Sequence, residues 1–374
     1  MDHENAKRIG KQLCQREKGL RLRVRNVPCS QQNPSKPLAA TSRHVADQQQ
    51  QNKEGCDESR VQPKAEITGA ARRSSKRTIS KANASISSAV FHAPCRPQLI
   101  ADVDWNDRGD PQLCAEYVTD IYHHLHDEER KPYYSVKPEF LGEQLSIGTH
   151  HRSVLVDWLV QVSEKLQLCN VTLHVMVDLI DRYLQVQQVS KQRLQLVGVT
   201  SMLLACKYEE TRCPSVHDMA YITDDAYTTG EIRSMEMDIL RGVDYRMSKP
   251  VPLEFLRRYS KVAQAIATEH HLAKYFLELA LLDKALSSVH PSKKAASALL
   301  LARTVHLCLD PAKVWSPKLA HFSGYQLGNL MGIVDALKGV VRNWHGHPKL
   351  TAVRSKYSID ALGRVSSLPA LRYL

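Results

Sequence analysis

The stretch Leu194-Gln-Leu-Val-Gly-Val-Thr-Ser-Met-Leu-Leu-Ala-Cys-Lys-Tyr-Glu-Glu210 constrains this chain most. It is apolar on nearly every side and then breaks into Lys207, Glu209 and Glu210. A helix of that kind belongs in the middle of a bundle, with other helices around it. Gly198, Ser201 and Ala205 are small enough to let neighbouring backbones approach closely. A lysine at the exit emerges at the rim, where it can meet another molecule. The pattern points to a helical docking module rather than a catalytic cleft.

The charge is unevenly spread. The first 100 residues carry 19 Lys and Arg against 8 Asp and Glu, and the remaining residues carry 32 against 31. The net +12 therefore sits mostly in the N-terminal segment, which argues against a nucleic-acid-binding core. Residues 1–90 contain no Phe, Trp or Tyr and are rich in Gln, Ser, Lys and Arg. Such a segment buries too little apolar surface to offset its ordering entropy, so a disordered tail is expected over 1–104. Nine cysteines form no Cys-x-x-Cys pair, which fits a reducing compartment. No secretory signal and no membrane-spanning run is apparent, so the chain is expected in the cytoplasm and nucleus.

From Asp110-Pro111 onward the chain reads as helices. Leu113, Tyr117, Val118, Ile121 and Leu125 recur at helical spacing, and so do Val154, Leu155, Trp158, Leu159, Val162 and Leu166. Leu173, Met176, Val177, Ile180 and Leu184 mark a third helix, ahead of the central one at 191–208. Ser215 with Asp218, and Thr228 with Glu231, read as capping pairs, and Gly242 as a helix stop. After Lys249-Pro-Val-Pro252 the rhythm restarts, with helices expected at 253–267, 270–286, 292–309 and 325–344. No sustained period-two alternation suggests a sheet. Ala295-Ala-Ser-Ala-Leu-Leu-Leu-Ala302 repeats the character of Gly198-Val-Thr-Ser-Met-Leu-Leu-Ala205, 97 residues on. Two all-α domains of one architecture follow, at 105–248 and 249–374, each wrapped around a central helix. At the same offset Lys207 becomes Thr304 and Glu236 becomes Ile333, so binding chemistry is expected on the first domain.

These residues resemble the cyclin box. The resemblance rests on Arg152-Ser-Val-Leu-Val-Asp-Trp-Leu-Val-Gln-Val162, Ile180-Asp-Arg-Tyr183, Leu194-Gln-Leu-Val-Gly198, Lys207-Tyr-Glu-Glu210 and Met235-Glu-Met237, in the family's order and spacing. Cys114-Ala-Glu-Tyr-Val-Thr-Asp-Ile-Tyr122 looks like the N-terminal helix of mitotic cyclins, and Phe255-Leu-Arg-Arg258 and Leu272-Ala-Lys-Tyr275 look B-type. The resemblance implies two tandem cyclin boxes and a regulatory subunit that activates a mitotic cyclin-dependent kinase at the G2/M transition, with no catalysis of its own. It implies that Lys207 and Glu236 hydrogen-bond the kinase main chain, with Tyr117, Ile121, Leu204, Tyr208 and Leu240 giving apolar contacts. It implies a docking patch for Arg-x-Leu substrates or inhibitors at His151, Val154, Leu155, Trp158 and Gln195. Here His151 replaces the family's usual methionine and Val154 its isoleucine, so the patch is smaller and more polar. It implies a structural ion pair between Arg152 and Asp181. It also implies regulated destruction through a ubiquitin ligase. Residues 1–90 contain no minimal destruction box, Arg-x-x-Leu; Arg96-Pro-Gln-Leu99 fits it beside the folded part, and Lys53-Glu54-Gly55 approximates the alternative signal.

Other features have plainer readings. Trp158 is expected partly buried with an exposed edge. His123 and His126, and His345 and His347, are expected to face solvent rather than bind metal. Gly324, Gly328 and Gly332 step by four and would allow close helix packing. Arg72-Arg-Ser-Ser-Lys-Arg77 reads as a nuclear import signal or a basophilic kinase site, or equally as an ordinary charge cluster. No cofactor, metal or nucleic-acid site is expected. The alternative function is a cyclin-fold transcription factor, which would need a basic folded surface and commonly a zinc ribbon. A helical enzyme would need an acid/base pair converging on a cavity.

Overall fold

A computed structural model describes residues 102–374. The tail expected over 1–104 lies almost wholly outside the described residues, as do Arg72–Arg77, Lys53–Gly55 and Arg96–Leu99. The described residues are helical and contain no strand. The first half comprises α1 (Val118–Glu129), α2 (Thr149–Leu166), α3 (Asn170–Val186), α4 (Leu194–Glu209), α5 (Val216–Ile222) and α6 (Thr229–Gly242). The second comprises α7 (Pro252–Val262), α8 (Ala267–Leu282), α9 (Pro291–Leu307), α10 (Pro311–Val314), α11 (Pro317–Ser323), α12 (Leu327–Trp344) and α13 (Ala352–Lys356). No helix among the described residues is long and apolar enough to cross a membrane.

Each half is built around the helix that the sequence singled out. In α4 every residue from Leu196 to Cys206 is buried, and α2, α3, α5 and α6 surround it. In α9 the run Ala295–Ala302 is buried, and α7, α8 and α12 surround it. Gly198 lets α2 lie against α4, because a Cβ there would come within 2.6 Å of Leu155 Cδ1. The capping pairs form as read: Ser215 with Asp218 opens α5 and Thr228 with Glu231 opens α6.

Several local readings change. Asp110 caps only a single 3-10 turn, Pro111–Leu113, and Cys114 then turns left-handed before α1 begins. Leu113, Tyr117 and Ile121 are exposed, as a partner contact at Tyr117 and Ile121 requires, while α1 packs through Tyr122 and Leu125. Helix α6 stops at Gly242, as expected, but without a left-handed turn. Gly242 remains helical, and its bare Cα lies against the Tyr183 ring, which a Cβ would meet at 2.9 Å. Gly324 turns left-handed to end α11, and Gly328 and Gly332 have nothing within 4 Å of a built Cβ. Their step of four therefore marks no close packing. Helix α8 stops at Leu282, where Asp283 leaves the helix and caps the next turn by accepting from the Ala285 N–H.

Polar side chains tie the halves together at long sequence range. Helix α1 is anchored on the second half: Tyr122 donates to the Glu254 carbonyl at 3.0 Å, and the His126 ring lies 4.9 Å from Phe255. Glu129 caps α9 by accepting from the Ser292 N–H at 2.8 Å and its hydroxyl at 2.5 Å. The C-terminal segment returns to the first half, where the Ala352 N–H donates to buried Asp157 at 2.9 Å. Lys356 bridges Glu278 of α8 and Asn170 of α3.

Gly198→Val should destabilise the chain by ~1–3 kcal/mol through overpacking against Leu155, read as a lower denaturant midpoint. A second expectation concerns Glu129. Burial opposes its ionisation, but hydrogen bonds from His126 and Ser292 prevail and hold its carboxyl below the usual range. Its contribution is therefore present above the unfolded carboxylate pKa of about 4.3 and is lost as pH falls through the folded value. Glu129→Gln should cost ~1–3 kcal/mol at pH 7, and the gap to the parent chain should narrow on acidification. Denaturant unfolding at pH 7 and at acid pH checks both.

Candidate docking face

The end of α4 and the middle of α6 meet at the surface. Lys207 Nζ donates to Glu236 Oε1 at 2.5 Å, with 47% of the lysine side chain and 14% of the glutamate side chain exposed. The two residues are 29 apart in sequence and lie on one face. What fixes Lys207 is the way α4 ends. Glu210, one residue beyond the helix, accepts from the Cys169 N–H at 2.7 Å and the Thr172 hydroxyl at 2.5 Å. That carboxylate satisfies the start of α3 and pins the exit of α4 to it. Glu210 stands in the Lys207–Glu210 motif, but its role depends on a long-range contact with no local sequence signal.

Several large apolar side chains of the first half lie exposed. Tyr117 is 62% exposed, Ile121 42% and Tyr208 50%. Tyr117 and Ile121 point away from the second half because α1 spends its other face on Phe255 and Ser292. Tyr208 stands near Glu254, whose carbonyl holds Tyr122 of α1. Burial first, then the Glu209 charge, push the Tyr208 hydroxyl pKa upward, so it stays a neutral donor. Leu204 is buried and Leu240 partly buried, so these two offer at most an edge. Met237, beside Glu236, is also exposed and extends the apolar surface beyond the residues singled out by sequence.

The second expected patch is mostly committed to the fold. Leu155 is buried under Gly198, and Trp158 is only 6% exposed, so its expected open edge is absent. His151, Val154 and Gln195 are half-buried. His151 Nδ1 accepts from the Gly148 N–H at 3.1 Å and so caps α2. Burial, then the charge of Lys191, lower its pKa.

The ion pair lies at the junction of the halves. Arg152 binds Asp181 through two bonds, Nε to Oδ1 at 2.6 Å and Nη2 to Oδ2 at 2.7 Å. Its Nη1 donates to the Leu281 carbonyl at 2.7 Å, at the C-terminal end of α8. Next to it the Ser153 hydroxyl donates to the Leu282 carbonyl at 2.7 Å. Both carbonyls belong to the last turn of a helix, which has no intrahelical donors for them.

The histidines depart from expectation. His123 is exposed, but His126 packs on Phe255 and bonds Glu129, His345 meets the Tyr275 hydroxyl, and the His347 ring accepts from the Leu350 N–H. Among the described residues no group of His, Cys, Asp and Glu is arranged to hold a metal ion.

Residues 120–248 match the cyclin N-terminal domain and residues 250–371 the cyclin C-terminal domain. The chain is 46% identical over 273 residues to a G2/mitotic-specific cyclin-B2 of Oryzias javanicus, covering 73% of this chain and 70% of that one. It is 45% identical over 276 residues to a G2/mitotic-specific cyclin-B2 of Rana japonica, covering 74% and 69%. Its fold is similar to that of a viral cyclin from herpesvirus saimiri, with a TM-score of 0.52 at 20% identity, covering 59% of this chain and 96% of that one.

Arg152→Met would leave Asp181 buried without its partner. It should cost ~3–5 kcal/mol, whereas Arg152→Met with Asp181→Leu should recover much of that loss. Thermal or denaturant unfolding of the two variants checks this.

Proposed function

The chain belongs to the family of B-type, G2/mitotic-specific cyclins, and from that premise we propose how it works. It is a regulatory subunit, without catalysis of its own, that binds and activates a mitotic cyclin-dependent kinase at the G2/M transition. The observation that carries the docking geometry is the surface pair Lys207–Glu236, and the exposed Tyr117, Ile121 and Tyr208 would complete the face. A solvated ion pair contributes only ~0–1 kcal/mol to a fold, so these charges have little stabilising work to do where they stand. Beside a partner they would exchange one another for main-chain groups: the ammonium for carbonyls, the carboxylate for N–H groups. The exposed aromatics would supply the apolar area around those bonds.

Activation needs differential affinity. The docking face must bind more tightly to the kinase conformation in which its mobile helix brings a glutamate to the catalytic lysine. A rigid face does this better than a flexible one, because ordering it costs nothing on binding. The Glu210 tether and the anchored α1 provide that rigidity.

The reading extends to further partners. Arg-x-Leu ligands would meet His151, Val154 and Gln195, with Leu155 and Trp158 acting only as the floor beneath them. A ubiquitin ligase would act on signals ahead of residue 102. The chain would work in both cytoplasm and nucleus.

Lys207→Ala with Glu236→Ala is the direct test. Fold stability should change by no more than ~1 kcal/mol, while binding to a mitotic cyclin-dependent kinase should weaken by ~1–3 kcal/mol per desolvated contact. Unchanged kinase binding and activation would show that the docking face is elsewhere.

A further inference from the structure

The near balance of charge beyond the N-terminal segment hides a sharp division between the boxes. Residues 105–248 carry 14 Lys and Arg against 22 Asp and Glu, whereas residues 249–374 carry 18 against 7. The carboxylates of the second box are already engaged. Four pair with basic side chains, and three accept from main-chain N–H groups. The positive excess of this box is therefore unmatched from within.

Part of that excess gathers at the C-terminal end of α12. No Asp or Glu occurs between Asp335 and Asp360, a stretch that holds five Lys and Arg. Arg342 and His345 stand at i and i+3 where the helix ends, so they share a face. The Arg354 Nη1 donates to the His345 carbonyl at 3.2 Å, which brings α13 to that face. The Arg342 Nε donates to the Leu374 main-chain oxygen at 2.9 Å, which brings the C-terminal turn with Arg372 there too. All three arginines are exposed. Among the described residues no Asp or Glu side chain lies within ion-pair distance of any of them. Each main-chain bond uses one N–H and leaves the rest of its guanidinium open. Tyr373, beside Arg372, is 89% exposed. The shared field reaches His345, whose pKa is lowered by burial, then by Arg354 and Arg372.

We propose that this patch docks an acidic segment of a partner protein, with its Asp and Glu carboxylates spread over Arg342, Arg354 and Arg372. A guanidinium is a planar fork that matches a carboxylate through two parallel bonds. Forks carried by a helix end, a second helix and a terminal turn suit carboxylates distributed along a peptide. The Tyr373 ring offers apolar contact to the side chains between them. A nucleic-acid duplex fits less well. Three guanidiniums neutralise few phosphates, and the carboxylate excess of the first box repels the remainder of a long polyanion. The patch uses none of α1, α4 and α6, so it does not depend on where a kinase docks.

The test uses the full-length chain and a short synthetic peptide of alternating Glu and Ser. Hydrogen–deuterium exchange is followed as the peptide is titrated. Segments 342–356 and 371–374 should gain protection, less so as salt is raised. In Arg354→Gln with Arg372→Gln, half-maximal protection should need about tenfold more peptide. Both side chains are exposed, so the variant keeps its fold. Lys313→Gln with Lys318→Gln removes the same charge elsewhere on the second box and should shift the titration by about twofold or less. Absence of protection in these segments, or protection confined to residues 1–100, would overturn the proposal. So would equal weakening in both variants, or protection of the patch by a short DNA duplex but not by the peptide.

Discussion

The contact on which the rest of this molecule depends is the grip of Arg152 on Asp181 and on the end of α8. One guanidinium satisfies a buried carboxylate through two bonds and a helix-end carbonyl through a third. Its three contacts come from α3 and α8, while it sits itself on α2, so it fixes three helices from two boxes at one point. A buried ion pair is not by itself a source of stability, because desolvating two charges costs several kcal/mol. Its value lies in geometry: only one relative placement of the boxes leaves no charge stranded. Ser153, Glu129 and Lys356 make comparable demands at other points of the same boundary.

That boundary has a consequence for the docking face. Helix α1 precedes the first box in sequence, yet its anchors, Glu254, Phe255 and Ser292, lie in the second. The placement of Tyr117 and Ile121 is therefore set by the second box. The proposed docking face draws on α1, α4 and α6, and α1 is held by its contacts with the second box. At the positions corresponding to Lys207 and Glu236, 97 residues on, the second copy has Thr304 and Ile333 in place of those charges. The second box supplies the support on which the first box's surface depends.

How much of this was legible in the sequence follows from the range of each interaction. The central helices α4 and α9 were legible because a run of buried residues with small residues interspersed has one structural meaning. The caps of α5 and α6 were legible because Ser215–Asp218 and Thr228–Glu231 act within a single turn. The exposure of Tyr117 and Ile121 came with the family resemblance, because apolar periodicity alone does not say whether a core or a partner covers the face. Trp158 was misjudged for the related reason that an amphipathic ring leaves burial undecided. The pairing of Glu129 with Ser292, 163 residues apart, has no local signature at all. Neither does the role of His151 as a cap of α2. The grip of Lys207 and Glu236 was carried by family resemblance, since in isolation either residue reads as an ordinary solvated charge.

The central claim is that a partner kinase seats on the face formed by α1, α4 and α6. Hydrogen–deuterium exchange of the full chain, alone and bound to a mitotic cyclin-dependent kinase, measures this most directly. The account predicts slower exchange in segments 117–121, 204–210 and 235–240 on binding, with the outer surface of α12 unchanged. Protection confined to the second box, with those three segments exchanging as in the free chain, would contradict it.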